Sequence, residues 1–132
     1  MSIKFANTAT WVLRITASLI LLQTLFFKFT AAQESVYIFS TIGMEPWGRI
    51  GTGILELISS SLILIPAATL FGSLLAIGLM TGAIFFHLTK LGISVQNDGG
   101  QLFIYALIVL VCSVALVFLT RKSLIGILTN KQ

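Results

Sequence analysis

Four long apolar stretches separated by short polar breaks constrain this chain more than any other feature: about Trp11–Phe27, Gly48–Ile65, Leu70–Leu88 and Leu102–Leu119. Each approaches the ~20 residues an α-helix needs to cross a hydrocarbon core of ~30 Å. Inside lipid every backbone N–H and C=O must be paired within its own segment, so stretches of this kind are expected to be helices. A membrane β-barrel would show period-two alternation over segments of ~10 residues, and the chain has no such pattern. The expectation is an all-α integral membrane protein, an antiparallel four-helix bundle. It forms one domain, 1–132, with helices over about 10–28, 48–66, 70–89 and 101–120.

Composition agrees with a lipid solvent. Charged residues make up 9% of the 132 and hydrophobic residues 57%, whereas a soluble domain carries about a quarter charged residues. A globule this small has too much surface for its volume to hide that much apolar area from water. The net charge is +4, but Lys4, Arg14, Lys28, Arg49, Lys90, Arg121, Lys122 and Lys131 sit mostly at the ends of apolar runs. That placement fits membrane flanks and not a nucleic-acid-binding stripe. Trp11–Phe27 is preceded by Lys4 and Arg14 but is longer than the ~7–15 residues of a signal-peptide core, so it reads as a retained helix.

The breaks between runs carry turn chemistry. Pro46 suits the first turn of the second helix. Pro66 stops that helix, and the short Ala67-Ala68-Thr69 link makes helices two and three antiparallel neighbours. Asp98-Gly99-Gly100 is a turn before helix four. Trp11, Tyr37 and Trp47 fall near the expected interfaces, where aromatic belts lie. The longer connection from Phe29 to Trp47 includes Ser35-Val36-Tyr37-Ile38-Phe39, apolar enough for a short interfacial helix or a segment folded back over the bundle. Four crossings put both termini on one side, with Lys4, Arg14, Arg121, Lys122 and Lys131. Lys28, Arg49 and Lys90 fall on the other, and the excess of bases favours cytoplasmic termini.

The polar residues inside these runs need a reason to be there. A charge at the centre of a membrane helix costs ~2.5–3.5 kcal/mol on insertion scales. Glu56 lies deep in the second run, roughly 12 Å along the helix from Gly48 at 1.5 Å per residue, so it should face the bundle interior. Helical side chains lean toward their own N-terminus. Glu56 therefore leans outward, while Lys28 and His87, on helices running the other way, lean inward to meet it. Gln23 lies roughly 7.5 Å deeper than Lys28, and Arg49 and Lys90 are placed to rim the opening. These groups either clamp the helices together or line a pocket for a polar headgroup, a quinone or another small molecule.

The remaining signals have structural explanations. Gly78 and Gly82 stand at GxxxG spacing, which serves close helix packing within the chain or a homodimer seam. Ser59, Ser60 and Ser61 can bond back to carbonyls of the preceding turn. Cys112 is the lone cysteine, a small core hydrophobe by default, so no internal disulfide or CxxC relay is available. One His and one Cys do not make a protein-only metal or haem site.

Taken in order, Arg14, Leu25-Phe26-Phe27-Lys28-Phe29, Gly53-Ile54-Leu55-Glu56-Leu57 and Gly78-Leu79-Met80-Thr81-Gly82-Ala83 followed by His87 resemble the DoxX family of small bacterial membrane proteins, over nearly the whole length. The resemblance implies a four-helix bundle of the bacterial inner membrane. The family takes its name from a subunit associated with a thiosulfate:quinone oxidoreductase, and other members are linked to redox stress or membrane-protein maturation. The convergence of Glu56 with basic and imidazole groups points to a non-enzymatic membrane subunit or accessory protein, which binds a lipid-like or quinone-like molecule or a membrane or redox partner protein. The alternatives are a quinone-linked redox component and a small oligomeric transporter or channel.

Overall fold

The computed structural model describes residues 3–129, with side chains from 7 to 121. The chain is helical, with no strand among the described residues: α1 is Ile3–Phe29, α2 Gln33–Thr41, α3 Trp47–Leu64, α4 Thr69–Phe86 and α5 Gln101–Thr129. A 3₁₀ turn, Pro66–Ala68, joins α3 to α4, and a π-helical turn, His87–Leu91, prolongs α4. α1 packs against α3 and α5, and α4 packs against the same two. The four long helices thus close a ring with α1 and α4 across from each other.

Three stretches are long and apolar enough to cross a membrane: Asn7–Phe29, Pro66–Leu91 and Gln101–Arg121. α3 was expected to be a fourth and is not among them, because Arg49, Glu56 and three serines dilute its apolar residues. The packing is inverted relative to a water-soluble protein. Ser18, Ser59, Ser60, Ser73 and Ser113 are fully buried, while Phe26 and Val111 are each 67% exposed. Water-soluble cores prefer the opposite arrangement. In hydrocarbon, small polar side chains between helices and large apolar ones outside are the stable choice.

The expected helix limits hold only in part. α1 begins at Ile3 and α5 runs to Thr129, beyond the expected 10 and 120. Hydropathy marks where lipid ends, whereas a helix continues until its hydrogen bonding is interrupted. Of the bases assigned to the terminal side, the side chains of Lys4 and Lys122, and Lys131 altogether, lie outside the described residues.

Pro66 ends α3 as expected, leaving Ile65 in an extended conformation, the one a following proline favours. The Thr69 hydroxyl, fully buried, lies 3.0 Å from both the Ile63 and the Ile65 carbonyl oxygens. It serves acceptors that the helix end would otherwise leave unpaired. α4 comes close to α3 at Gly72. A Cβ there would lie 2.7 Å from the Ile63 nitrogen and 2.8 Å from the Ser59 carbonyl oxygen. Ser59 donates to the Gly72 carbonyl at 2.8 Å across the same contact, and Ser60 bonds back to Leu57 at 3.0 Å.

Gly78 and Gly82, expected to serve close packing within the chain or a homodimer seam, do not pack closely on another helix of the chain. A Cβ at either would meet nothing within 4 Å, and both face a cavity. GxxxG spacing identifies small residues on one helix face but not whether a neighbour reaches that face. Cys112 sits in the apolar core with Ala17, Leu21, Ile63, Met80 and Leu116.

Candidate functional site

Glu56 is 4% exposed and lies on the face of α3 turned to α1. Lys28 Nζ is 3.1 Å from each of its carboxylate oxygens. The Thr24 hydroxyl is 2.8 Å from Oε2 and equally 2.8 Å from the Leu21 carbonyl of its own helix. With one hydroxyl hydrogen, Thr24 serves one acceptor at a time. Thr24 and Lys28 are four residues apart and share a face of α1, so one turn of that helix supplies both donors.

Arg49 is also buried, but its role is local. Its Nε donates to both carboxylate oxygens of Glu45, at 2.8 and 3.1 Å. Its Nη1 donates to the Lys28 carbonyl oxygen near the end of α1. Arg49 thereby fastens the start of α3 to the end of α1 and satisfies a C-terminal carbonyl. It does not rim the cavity, as expected from sequence, and neither does Lys90, which is exposed on the π-helical turn.

The cavity has a volume of about 380 Å³ and takes walls from all five helices. Of the six residues expected to form a polar cluster, Gln23, Lys28, Glu56 and His87 line it. Gln23 is exposed, and its neighbour Thr24, not singled out in the sequence, makes the contact to Glu56. Most of the remaining wall is apolar, including Ile20, Leu79, Met80 and Phe86. Gly78 and Gly82 widen it by contributing no side chain. α2 folds over it, burying Ser35 and Phe39 and lining it with Glu34 and Ile38. A helix in the α1–α3 connection was expected; this one covers the bundle.

His87, 5% exposed, sits where α4 passes into the π-helical turn. Such turns recur at functional sites. Gly92, with φ +80°, returns the chain so that its carbonyl oxygen lies 3.0 Å from His87 Nδ1. A carbonyl only accepts, so Nδ1 carries the hydrogen. In the neutral ring Nε2 is then a bare acceptor. The Phe103 ring meets the imidazole edge-on at 5.6 Å.

Asp98 closes the loop before α5. Its Oδ1 accepts from the Val95 and Gly100 amides at 2.9 and 2.8 Å, and Oδ2 from Leu102 at 3.2 Å. Burial acts to raise its pKa, but these amides and nearby His87 outweigh that and hold it below the ordinary aspartate value. Glu34 shifts the opposite way: burial, and then the charge of Asp98, push its carboxyl up. Glu34, Asp98 and His87 are therefore electrostatic neighbours where α2 meets the π-helical turn.

Sequence reasoning missed Thr24, Glu34, Tyr105 and Gln101 as cavity residues. Thr24 was legible from its helical spacing to Lys28. Glu34 was not, since only the docking of α2 brings it to the cavity. Comparison of the chain with family models, curated proteins and solved structures returns no match.

Proposed function

We propose that this is a DoxX-like protein of the bacterial inner membrane, with α3 as a fourth crossing and both termini cytoplasmic, and that it binds a small amphipathic molecule in the cavity between its helices. The ligand has a lipid-like apolar body and a polar head, a build that quinones share. The protein acts as a binding or accessory subunit and not as a catalyst in its own right.

One observation carries this reading: a buried carboxylate, Glu56, held by Lys28 and Thr24 in the wall of a mostly apolar cavity of about 380 Å³. That volume lies in the range of small-molecule sites, ~300–1,000 Å³, which combine apolar walls with a few polar groups. A clamp between α1 and α3 alone would need no adjoining space. The fourth crossing is supported by the packing of α3 against both α1 and α4, and by the neutralisation of Glu56 by Lys28.

The test is native mass spectrometry of the protein released from mild detergent. A co-purified small molecule is expected with the natural chain. It should be lost from Gly78→Phe and Gly82→Phe, since both positions line the cavity and a Cβ at either meets nothing within 4 Å. Identical spectra for all three proteins, or none with a bound molecule at any detergent concentration that keeps them folded, would refute the reading.

A further inference from the structure

The four acidic residues of this chain have unequal company. Glu45 is paired with Arg49, Glu56 with Lys28 and Thr24, and Asp98 with three backbone amides. Glu34 lines the cavity and has no side-chain hydrogen bond or ion pair among the described residues. Its electrostatic neighbour is another acid, Asp98. In a chain of net charge +4, the cavity is where acids prevail: Glu34 and Glu56 line it against one base, Lys28, which Glu56 already occupies. Lys90, on the π-helical turn beside His87, does not reach it.

Lys28, the strongest donor in the wall, is directed to the two oxygens of Glu56. Left without a side-chain partner among the described residues is the Glu34 carboxylate, while Gln23 and Tyr105, whose hydroxyl accepts from Gln101, line the cavity as neutral polar groups. A head that only accepts hydrogen bonds finds its best donor engaged. A head that donates and carries positive charge finds an uncompensated carboxylate.

We propose that the ligand is an amphipathic monocation whose ammonium head donates to the Glu34 carboxylate, with its apolar body against Leu79, Met80 and Phe86. This rests on the reading of the cavity as a ligand site and names the chemistry it selects. Charge-assisted hydrogen bonds of this type are about twice as strong as neutral ones, and apolar walls weaken the screening that would dilute them in water. Burial and Asp98 disfavour the ionised form of Glu34, and a bound cation restores it. Binding therefore strengthens as pH rises through the titration of Glu34. Asp98, His87 and the Lys28–Glu56 pair are the other charged or titratable groups nearby.

The probes are 1-adamantylamine and 1-adamantanol, one cage with an ammonium or a hydroxyl head. Affinity is measured by calorimetry on the full chain in nanodiscs of zwitterionic phosphatidylcholine. The amine is expected to bind the natural protein at least tenfold more tightly than the alcohol, a difference of about 1.4 kcal/mol. Glu34→Gln should erase that preference without changing alcohol binding, and Glu34→Asp, which keeps the charge, should restore most of it. Equal binding of the two probes, or an amine preference that survives Glu34→Gln, overturns the cation while leaving the cavity as a ligand site. Absence of binding by both, or binding unaffected by Gly78→Phe, overturns the cation and the cavity reading together.

Discussion

Replacing Glu56 by leucine removes the only partner that the Lys28 ammonium has among the described residues; the Lys28 side chain is 14% exposed. Breaking a buried pair from one side costs ~3–5 kcal/mol, because a charge is left without compensation. Lys28 stands near the end of α1, where its long side chain can turn toward the interface, so the lower end, about 3 kcal/mol, is expected. Lys28→Met strands Glu56 with only the Thr24 hydroxyl, and Glu56 is the deeper group, so the loss should be at least as large, about 3–4 kcal/mol. The fastening of α3 to α1 survives that change, since Arg49 reaches the backbone carbonyl of Lys28 and not its side chain. Joining the two substitutions puts two apolar side chains face to face with no stranded charge. The double variant should lose about 1 kcal/mol or less, a coupling of several kcal/mol. The assay is equilibrium unfolding in mixed micelles followed by tryptophan fluorescence, with all four proteins in one detergent. Additive losses, or single variants each within about 0.5 kcal/mol of the natural protein, would show that the pair is not buried in a low-dielectric wall.

Three further outcomes follow from other parts of the fold. Gly72→Ala should destabilise by about 1–3 kcal/mol through overpacking against backbone that cannot retreat, while Gly78→Ala should change stability little; thermal unfolding of both variants separates the close approach from the open one. The Ser113 hydroxyl is buried without a partner among the described residues, so Ser113→Ala should be neutral or stabilising by up to about 1 kcal/mol, whereas Ser59→Ala, which loses the bond to Gly72, should cost about 0.6–1 kcal/mol; melting temperatures in one detergent show whether the signs differ. Because the folded pKa of Glu34 is raised, its contribution is fully present below the ordinary glutamate value of 4.5 and is lost as pH rises through the folded value. Without ligand, Glu34→Gln should therefore raise the melting temperature at neutral pH and leave it unchanged in acid, and a pH series with no such crossover would count against an uncompensated carboxylate.

The site was legible in proportion to how locally its residues are placed. Helical spacing and side-chain lean put Lys28 and Glu56 at compatible depths, and the structure joins them at 3.1 Å. The same reasoning brought His87 to the cavity but not its actual partner, the Gly92 carbonyl, since a π-helical turn leaves no periodic mark. Arg49 and Lys90 sit close in sequence to the cluster yet outside the cavity. The basic end of a helix can turn to backbone or to solvent, and sequence does not choose between them.

Periodicity and composition alone were enough to place the long helices, to stop α3 at Pro66 and to name Glu56 as a buried charge. These follow from backbone hydrogen bonding and from the cost of polar groups in hydrocarbon, both of which act on each segment separately. Only the packed chain settled which glycine touches a neighbour, that α2 roofs a cavity, and that Glu34 and His87 face the same space. Those outcomes depend on contacts between segments far apart in the chain. A short amphipathic segment such as α2 has several faces it can bury at similar cost, and its neighbours in three dimensions choose among them.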